Sequence, residues 1–214
     1  MTSEPVRLPR VLLADDHVLV AEGIGLLLES HFEFLGTVEN GRELLRAAAE
    51  LRPDVVLLDI SMPILNGLEA ARQLKDALPS VRIVFLTMHA DTTYLREALN
   101  AGAQGYVLKR AAASELVQAI KTVMNGSIYI TPSLGNPADG DGNSRGEALT
   151  PRQREVLQLV AEGYSAKEIG GLLGISVKTA EFHKAGIMQK LRIRTVAELT
   201  KYAMEHGITG DFRK

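Results

Sequence analysis

The sequence of 214 residues contains no cysteine. That absence excludes disulfides, zinc-thiolate sites and thiol nucleophiles, and it gives no sign of an oxidising compartment. A long apolar run is also missing: nothing approaches the roughly 18 uninterrupted apolar residues of a membrane span, since Asp15, Asp16 and Glu22 break the richest stretch. The opening residues, Met1 to Arg10, carry prolines and charges where a secretory leader would need an apolar segment. A cytoplasmic protein without a membrane partner is the expectation. Glycine and proline are present in modest number, and 46% hydrophobic with 23% charged residues allow an ordinary buried core, which sets aside disordered and fibrous classes.

The formal net charge of -2 conceals an asymmetry. Residues 1–130 hold 12 Lys and Arg against 16 Asp and Glu, whereas residues 149–214 hold 11 against 7. The basic excess lies wholly in the last third, as it would in a polyanion-binding module joined to an acidic partner.

Between Arg10 and Met124 short apolar runs alternate with longer amphipathic stretches. Val11–Ala14, Phe34–Val38, Val55–Leu58, Ile83–Leu86 and Gly105–Leu108 predict five strands, and their unbroken apolar character predicts a parallel sheet covered on both faces. Helices are predicted over Val18–Ser30, Arg42–Leu51, Gly67–Ala77, Thr92–Ala101 and Glu115–Asn125, the third with Asn66 as cap and Glu69 as reciprocal carboxylate. The fold class is therefore α/β, a (βα)5 doubly wound parallel sheet. From Thr131 to Ala148 the chain is dense in Gly, Pro, Asn, Asp and Ser and predicts a flexible linker.

Beyond it, Thr150 with Gln153, Ser165 with Glu168, and Thr195 with Glu198 predict three helix starts built as capping boxes, while Ser176 caps a fourth helix without a box. Gly163, Gly174 and Gly207 fall where helices should end. The result is a small all-α four-helix domain in which Ser165–Leu173 and Ser176–Leu191 form a helix-turn-helix pair. On a helical period Ala180, Ile187 and Leu191 face inward, and Lys178, Glu181 and Lys184 point out, with Thr179 at the exposed N-terminal edge. Lysines so placed would contact phosphates, and Glu181 could accept from a cytosine amine.

Ligands of an open parallel sheet bind outside the carboxyl ends of its strands. Asp15 and Asp16 end the first predicted strand, Asp59 the third, Thr87 the fourth and Lys109 the fifth. Three carboxylates gathered there repel one another unless a cation joins them, and oxygen ligands with retained waters favour Mg2+. A carboxylate can then attack phosphorus to form an aspartyl phosphate, with Lys109 and Thr87 engaging the other phosphoryl oxygens.

The segments LLADDH (12–17), LLDISMPILNG (57–67), FLTMH (85–89) and ALNAGAQGYVLKR (98–110) resemble the receiver domain of two-component response regulators. LTPRQREVLQLVAEG, SAKEIGGLLGIS and VKTAEFHKAGIMQKL, within residues 149–206, resemble the LuxR-type DNA-binding domain of the NarL/FixJ subfamily. The resemblance implies strand order 2-1-3-4-5, phosphorylation of Asp59, and Mg2+ held by Asp16, Asp59 and the Ser61 backbone carbonyl, with Asp15 assisting. It also implies that Lys109 touches the phosphoryl group and that Thr87 and Tyr106 carry the change to the surface around the fourth helix, fifth strand and fifth helix. Implied partners are a cognate sensor histidine kinase, double-stranded promoter DNA, a second copy of the chain on DNA or when phosphorylated, and RNA polymerase. The domains expected are a receiver at 8–128, a linker at 129–147 and a LuxR-type domain at 148–209.

Two other function classes would need a different sequence. A phosphohydrolase acting through an aspartyl phosphate would need a second carboxylate two residues after the nucleophile, where Ser61 stands. A pure interaction module would have no use for the intact acidic site. A regulator that catalyses only its own phosphorylation and dephosphorylation, and is otherwise no enzyme, is the expectation.

Overall fold

The computed structural model describes residues 7–134 and 149–209. The N-terminal unit runs β1 (Arg10–Ala14), α1 (Val18–Glu29), β2 (Glu33–Val38), α2 (Gly41–Leu51), β3 (Val55–Leu58), α3 (Gly67–Ala77), β4 (Arg82–Thr87), α4 (Thr92–Asn100), β5 (Gly105–Leu108), α5 (Ala112–Met124) and β6 (Tyr129–Ile130). All strand pairs are parallel, in the order β2-β1-β3-β4-β5-β6.

Side chains alternate across each strand, and here both sides meet helices. Leu12, Val56, Leu58, Phe85 and Tyr106 pack with residues of α2, α3 and α4, while Val11, Leu13, Leu57, Leu86 and Val107 pack with α1 and α5. Two apolar layers explain why the strands read as continuous hydrophobic runs.

The sixth strand lies within the span expected to be linker. Tyr129 and Ile130 pair with Gly105 and Tyr106, and Thr131 Oγ1 accepts from the Leu108 amide at 3.1 Å and donates to Glu115 at 2.9 Å. Residues 129–134 thus complete the sheet edge and a following 3-10 turn, Pro132–Leu134, while 135–147 of the expected linker fall outside the described residues. A two-residue strand just ahead of a proline is too short to show a period.

The C-terminal unit contains α6 (Pro151–Ala161), α7 (Ala166–Leu173), α8 (Val177–Leu191) and α9 (Val196–Glu205) around Val156, Leu159, Ile169, Ala180, Ile187 and Leu199. All three expected capping boxes form, and Ser176 caps α8 alone. No helix among the described residues is long and apolar enough to cross a membrane.

Candidate functional site

Parallel register sets the site. Ala14 is paired with Leu58 and Thr87 with Leu108, so the residues that follow, Asp15, Asp59 and Lys109, emerge side by side at the carboxyl edge of the sheet. The Asp59 amide donates to Ala14 O at 2.9 Å and the Asp15 amide to Val38 O at 2.9 Å, which locks the two strand ends together. Gly67, at the start of α3, lies so near the Asp59 carbonyl that any Cβ there would collide with it. Glycine lets this helix close over the strand end.

Lys109 Nζ lies 2.7 Å from both Asp59 Oδ2 and Asp15 Oδ2. Burial pushes the Asp59 carboxyl above its ordinary range, and the Lys109 charge offsets this only in part. Burial works against the Lys109 charge as well, but Asp59 and Asp15 outweigh it and hold the ammonium above its usual value. Asp59 Oδ1 accepts from the Ile60 amide at 2.7 Å, leaving the carboxylate oriented.

One ligand atom from each of Asp15, Asp16, His17 and Asp59 lies within 4.8 Å of all the others. Asp16 Oδ1 is buried without a hydrogen-bond partner, although His17 Nδ1 is 3.0 Å away, because that nitrogen bonds Asp15 at 3.1 Å. A carboxylate oxygen left unsatisfied among other carboxylates fits a hard cation. His17 was not anticipated at the site; its adjacency to the aspartate pair was the available signal.

Thr87 and Tyr106 are fully buried and meet at a residue that sequence reasoning did not single out, His89. The His89 amide donates to Thr87 Oγ1 at 3.3 Å, and Tyr106 Oη donates to the His89 carbonyl at 2.8 Å. His89 Nε2 and Ser61 Oγ are 2.8 Å apart, and the imidazole stacks on Tyr94 with centroids 4.0 Å apart. Desolvation lowers the His89 pKa, which favours neutral imidazole. Tyr94 in turn abuts Gly207 of the C-terminal unit, whose φ of 62° and lack of a side chain leave room for the ring.

The acidic edge also touches the C-terminal unit through the loop after β3. Gln158 Nε2 donates to Met62 O at 2.9 Å, and Glu162 accepts from the Ile64 amide at 3.2 Å. Arg154 bonds Glu69 at 2.9 Å, and Glu155 joins Arg42 and Gln73, each at 2.8 Å. Glu69 therefore does not return the cap bond expected of it: Asn66 Oδ1 accepts from the Glu69 amide, but the Glu69 carboxylate serves Arg154.

On α8, Lys178 and Glu181 are exposed, whereas Thr179 and Lys184 are half-buried. Thr179 Oγ1 is tied to Ser176 Oγ at 2.8 Å. The outward row runs through Lys178, Glu181, Phe182, Ala185 and Gln189, so Phe182 takes the position expected of Lys184. This face stays open to solvent, since the N-terminal unit packs on α6 and the end of α9.

Residues 11–121 match the model of the response regulator receiver domain, and residues 147–203 match that of bacterial regulatory proteins of the luxR family. The transcriptional regulatory protein MctR of Rhizobium johnstonii is 40% identical over 202 residues, covering 93% of this chain and 94% of its own. The oxygen regulatory protein NreC of Staphylococcus carnosus is 37% identical over 210 residues, covering 92% and 97%. Among solved structures, the Salmonella typhimurium response regulator RcsB aligns with a TM-score of 0.64 at 29% identity over 94% of this chain and 99% of that one. RcsB bound to promoter P1flhDC with the phosphomimetic BeF3- aligns at 0.63, again at 29% identity, over 93% and 100%. Strand order, acidic edge, helix-turn-helix pair and these matches agree: the chain belongs to the response regulators that join a receiver domain to a LuxR-family regulatory domain.

Proposed function

We propose that Asp59 accepts a phosphoryl group from a cognate sensor histidine kinase and that this controls promoter binding by the C-terminal domain as a homodimer. The observation that carries the reading is the bridge of Lys109 between Asp59 and Asp15 at 2.7 Å. A cation that contacts Asp59 and a second carboxylate at once supports the reading, since it could neutralise a phosphoryl group added to Asp59.

Asp15, Asp16, Asp59 and the Ser61 carbonyl are the proposed holders of Mg2+, which when bound would neutralise phosphoryl oxygens. An Asp59 oxygen bonds to phosphorus as the phosphohistidine N–P bond of the kinase breaks. Lys109 neutralises the added charge, and the Thr87 hydroxyl turns from the His89 amide toward the phosphoryl group. Tyr106 and His89 follow it through their shared carbonyl bond. Release of α6 from the loop after β3 then frees the second domain, with the receiver spanning 8–128 and its edge strand, and the DNA-binding domain 148–209.

On DNA, Lys178 and Lys184 would meet phosphates, Thr179 would edge the groove and Glu181 would face a base amine. RNA polymerase is the proposed further partner and the cytoplasm the proposed location. Labelling by acetyl phosphate with Mg2+, followed by mobility shift of promoter fragments, tests the reading. Wild type should take up one phosphoryl group and shift DNA more tightly, and Asp59→Asn should do neither. Phosphodonor-dependent binding that survives Asp59→Asn, or steady turnover of a phosphomonoester, would refute it.

A further inference from the structure

Phe182 is 75% exposed on α8, although its neighbours in the helix, Ala180 and Ile187, are packed in the core. A phenyl ring left in water forgoes the free energy its burial would yield, so something outside this unit must cover it or its exposure is a standing cost. Its surroundings narrow the choice. Along the same outward row stand Lys178 one turn before, Ala185 one turn after and Gln189 beyond. Ala185 is small, so the ring stands clear of the helix, and the His183 ring meets it edge-on at 6.2 Å and 65°. Val177, the other exposed large apolar side chain among the described residues of α8, lies about 140° around the helix and forms no continuous patch with it.

A protein interface needs about 800 Å² from each partner and a connected apolar centre. One ring among Lys178, Glu181 and Gln189 offers far less. It is, however, the size of a single base edge. In the major groove each base presents donors and acceptors, and thymine alone adds a methyl group. Phenyl has neither donor nor acceptor, so against guanine, adenine or cytosine it would strip water from polar atoms and return no bond. Against thymine it covers a methyl.

We propose that Phe182 reads the 5-methyl group of a thymine in the major groove and is a specificity-determining residue of this regulator. The inference rests on α8 being the DNA-facing helix. Lys178, one turn nearer the helix start, supplies sequence-independent attraction beside it.

The test uses full-length wild type, Phe182→Ala and Phe182→Leu, each with and without acetyl phosphate and Mg2+, to select duplexes from a random-sequence pool. In the duplex that wild type enriches, each thymine is then replaced in turn by uracil, which removes only the methyl. At one thymine per half-site the exchange should weaken wild type about four-fold, the value of one buried methyl group. Phe182→Leu should keep that sensitivity, Phe182→Ala should lose it, and 5-methylcytosine at the same position should recover part of the wild-type affinity. The proposal is overturned if wild type and Phe182→Ala show the same loss on uracil exchange, or if no thymine methyl matters to wild type. It is equally overturned if Phe182→Ala changes only the assembly mass in light scattering, which would make the ring a contact between copies. Retention of no duplex by any of the proteins would instead bring down the DNA-binding reading itself, and this inference with it.

Discussion

A single oxygen of Gln158 accepts two bonds from Asn66, one from its backbone amide at 2.9 Å and one from its side-chain amide at 3.1 Å. Asn66 also caps α3 through its own side-chain oxygen and donates to Ile208 O at 3.0 Å. Both residues are buried, and the loop they fix begins directly after Asp59. The α6 helix is thereby fastened to the segment that a change at Asp59 would disturb first.

Gln158→Ala should loosen this docking without unfolding either unit. The substitution leaves the Asn66 backbone amide and the Met62 carbonyl without partners, and a buried polar group left unpaired costs about 1 to 3 kcal/mol. Protection of the Asn66 amide against hydrogen exchange should fall by about thirty-fold, the equivalent of about 2 kcal/mol. Unchanged protection would show that the clamp adds nothing to docking.

Lys109→Ala should destabilise the receiver more severely, because Asp15 and Asp59 would face each other buried and without a cation. Removing one member of a buried ion pair costs about 3 to 5 kcal/mol. Asp59 already has its pKa raised by burial, and loss of Lys109 raises it further. A raised folded-state pKa gives a contribution that is complete below the ordinary carboxylate value and is lost as pH rises through the raised one. The deficit against wild type in thermal unfolding should therefore be largest at neutral pH and shrink toward pH 4. A deficit that is flat with pH would contradict the charge argument.

The sheet and the helix caps were legible because their signals are local. A run such as Val55–Leu58 declares a strand covered on both faces, and Thr150 with Gln153 declares a helix start within four residues. The acidic edge was legible too, since parallel strands deliver their last residues to one side. What depends on the meeting of the two units was not. Glu69 carries the spacing of a cap partner, yet Arg154, 85 residues away in sequence, claims its carboxylate. Lys184 and Phe182 differ in exposure because they stand about 200° apart around α8, Lys184 close to the buried side of Ala180 and Phe182 in line with Lys178, and a charge-based reading favours the lysine over the ring. His89 carries no local signal because its bonds to Thr87 and Tyr106 use backbone atoms and its ring partners, Ser61 and Tyr94, are brought to it only by the fold.

Glu162 makes the docked arrangement weaker as pH rises. Burial raises its pKa, partly offset by bonds from Gln158 and the Ile64 amide. Docking is then favoured fully below the ordinary glutamate value of 4.5 and weakens as pH rises through the raised value. Glu162→Gln removes the ionisation and leaves only a constant difference in bonding. The gap in Ile64 amide protection between wild type and Glu162→Gln should be level below 4.5 and grow as pH rises from there through the raised value. A gap independent of pH would mean that Glu162 stays ionised when docked.

His89 offers the last test, because it links the Asp59 loop to Tyr94, the side chain that abuts the C-terminal unit. Its side chain bonds Ser61, two residues past Asp59, and stacks on Tyr94, which fills the space that Gly207 leaves open. The bonds to Thr87 and Tyr106 use its main chain, so His89→Ala keeps them while deleting the imidazole bridge. If the bridge carries the signal, the variant should still take up phosphate at Asp59, but Ile208 amide exchange should no longer respond to acetyl phosphate. Gly207→Ala should mimic release by wedging Tyr94 away from α9, and its effect should shrink in a Tyr94→Ala background, since residues in contact are non-additive. A normal Ile208 response in His89→Ala would route the coupling through the β3–α3 loop and Gln158 alone.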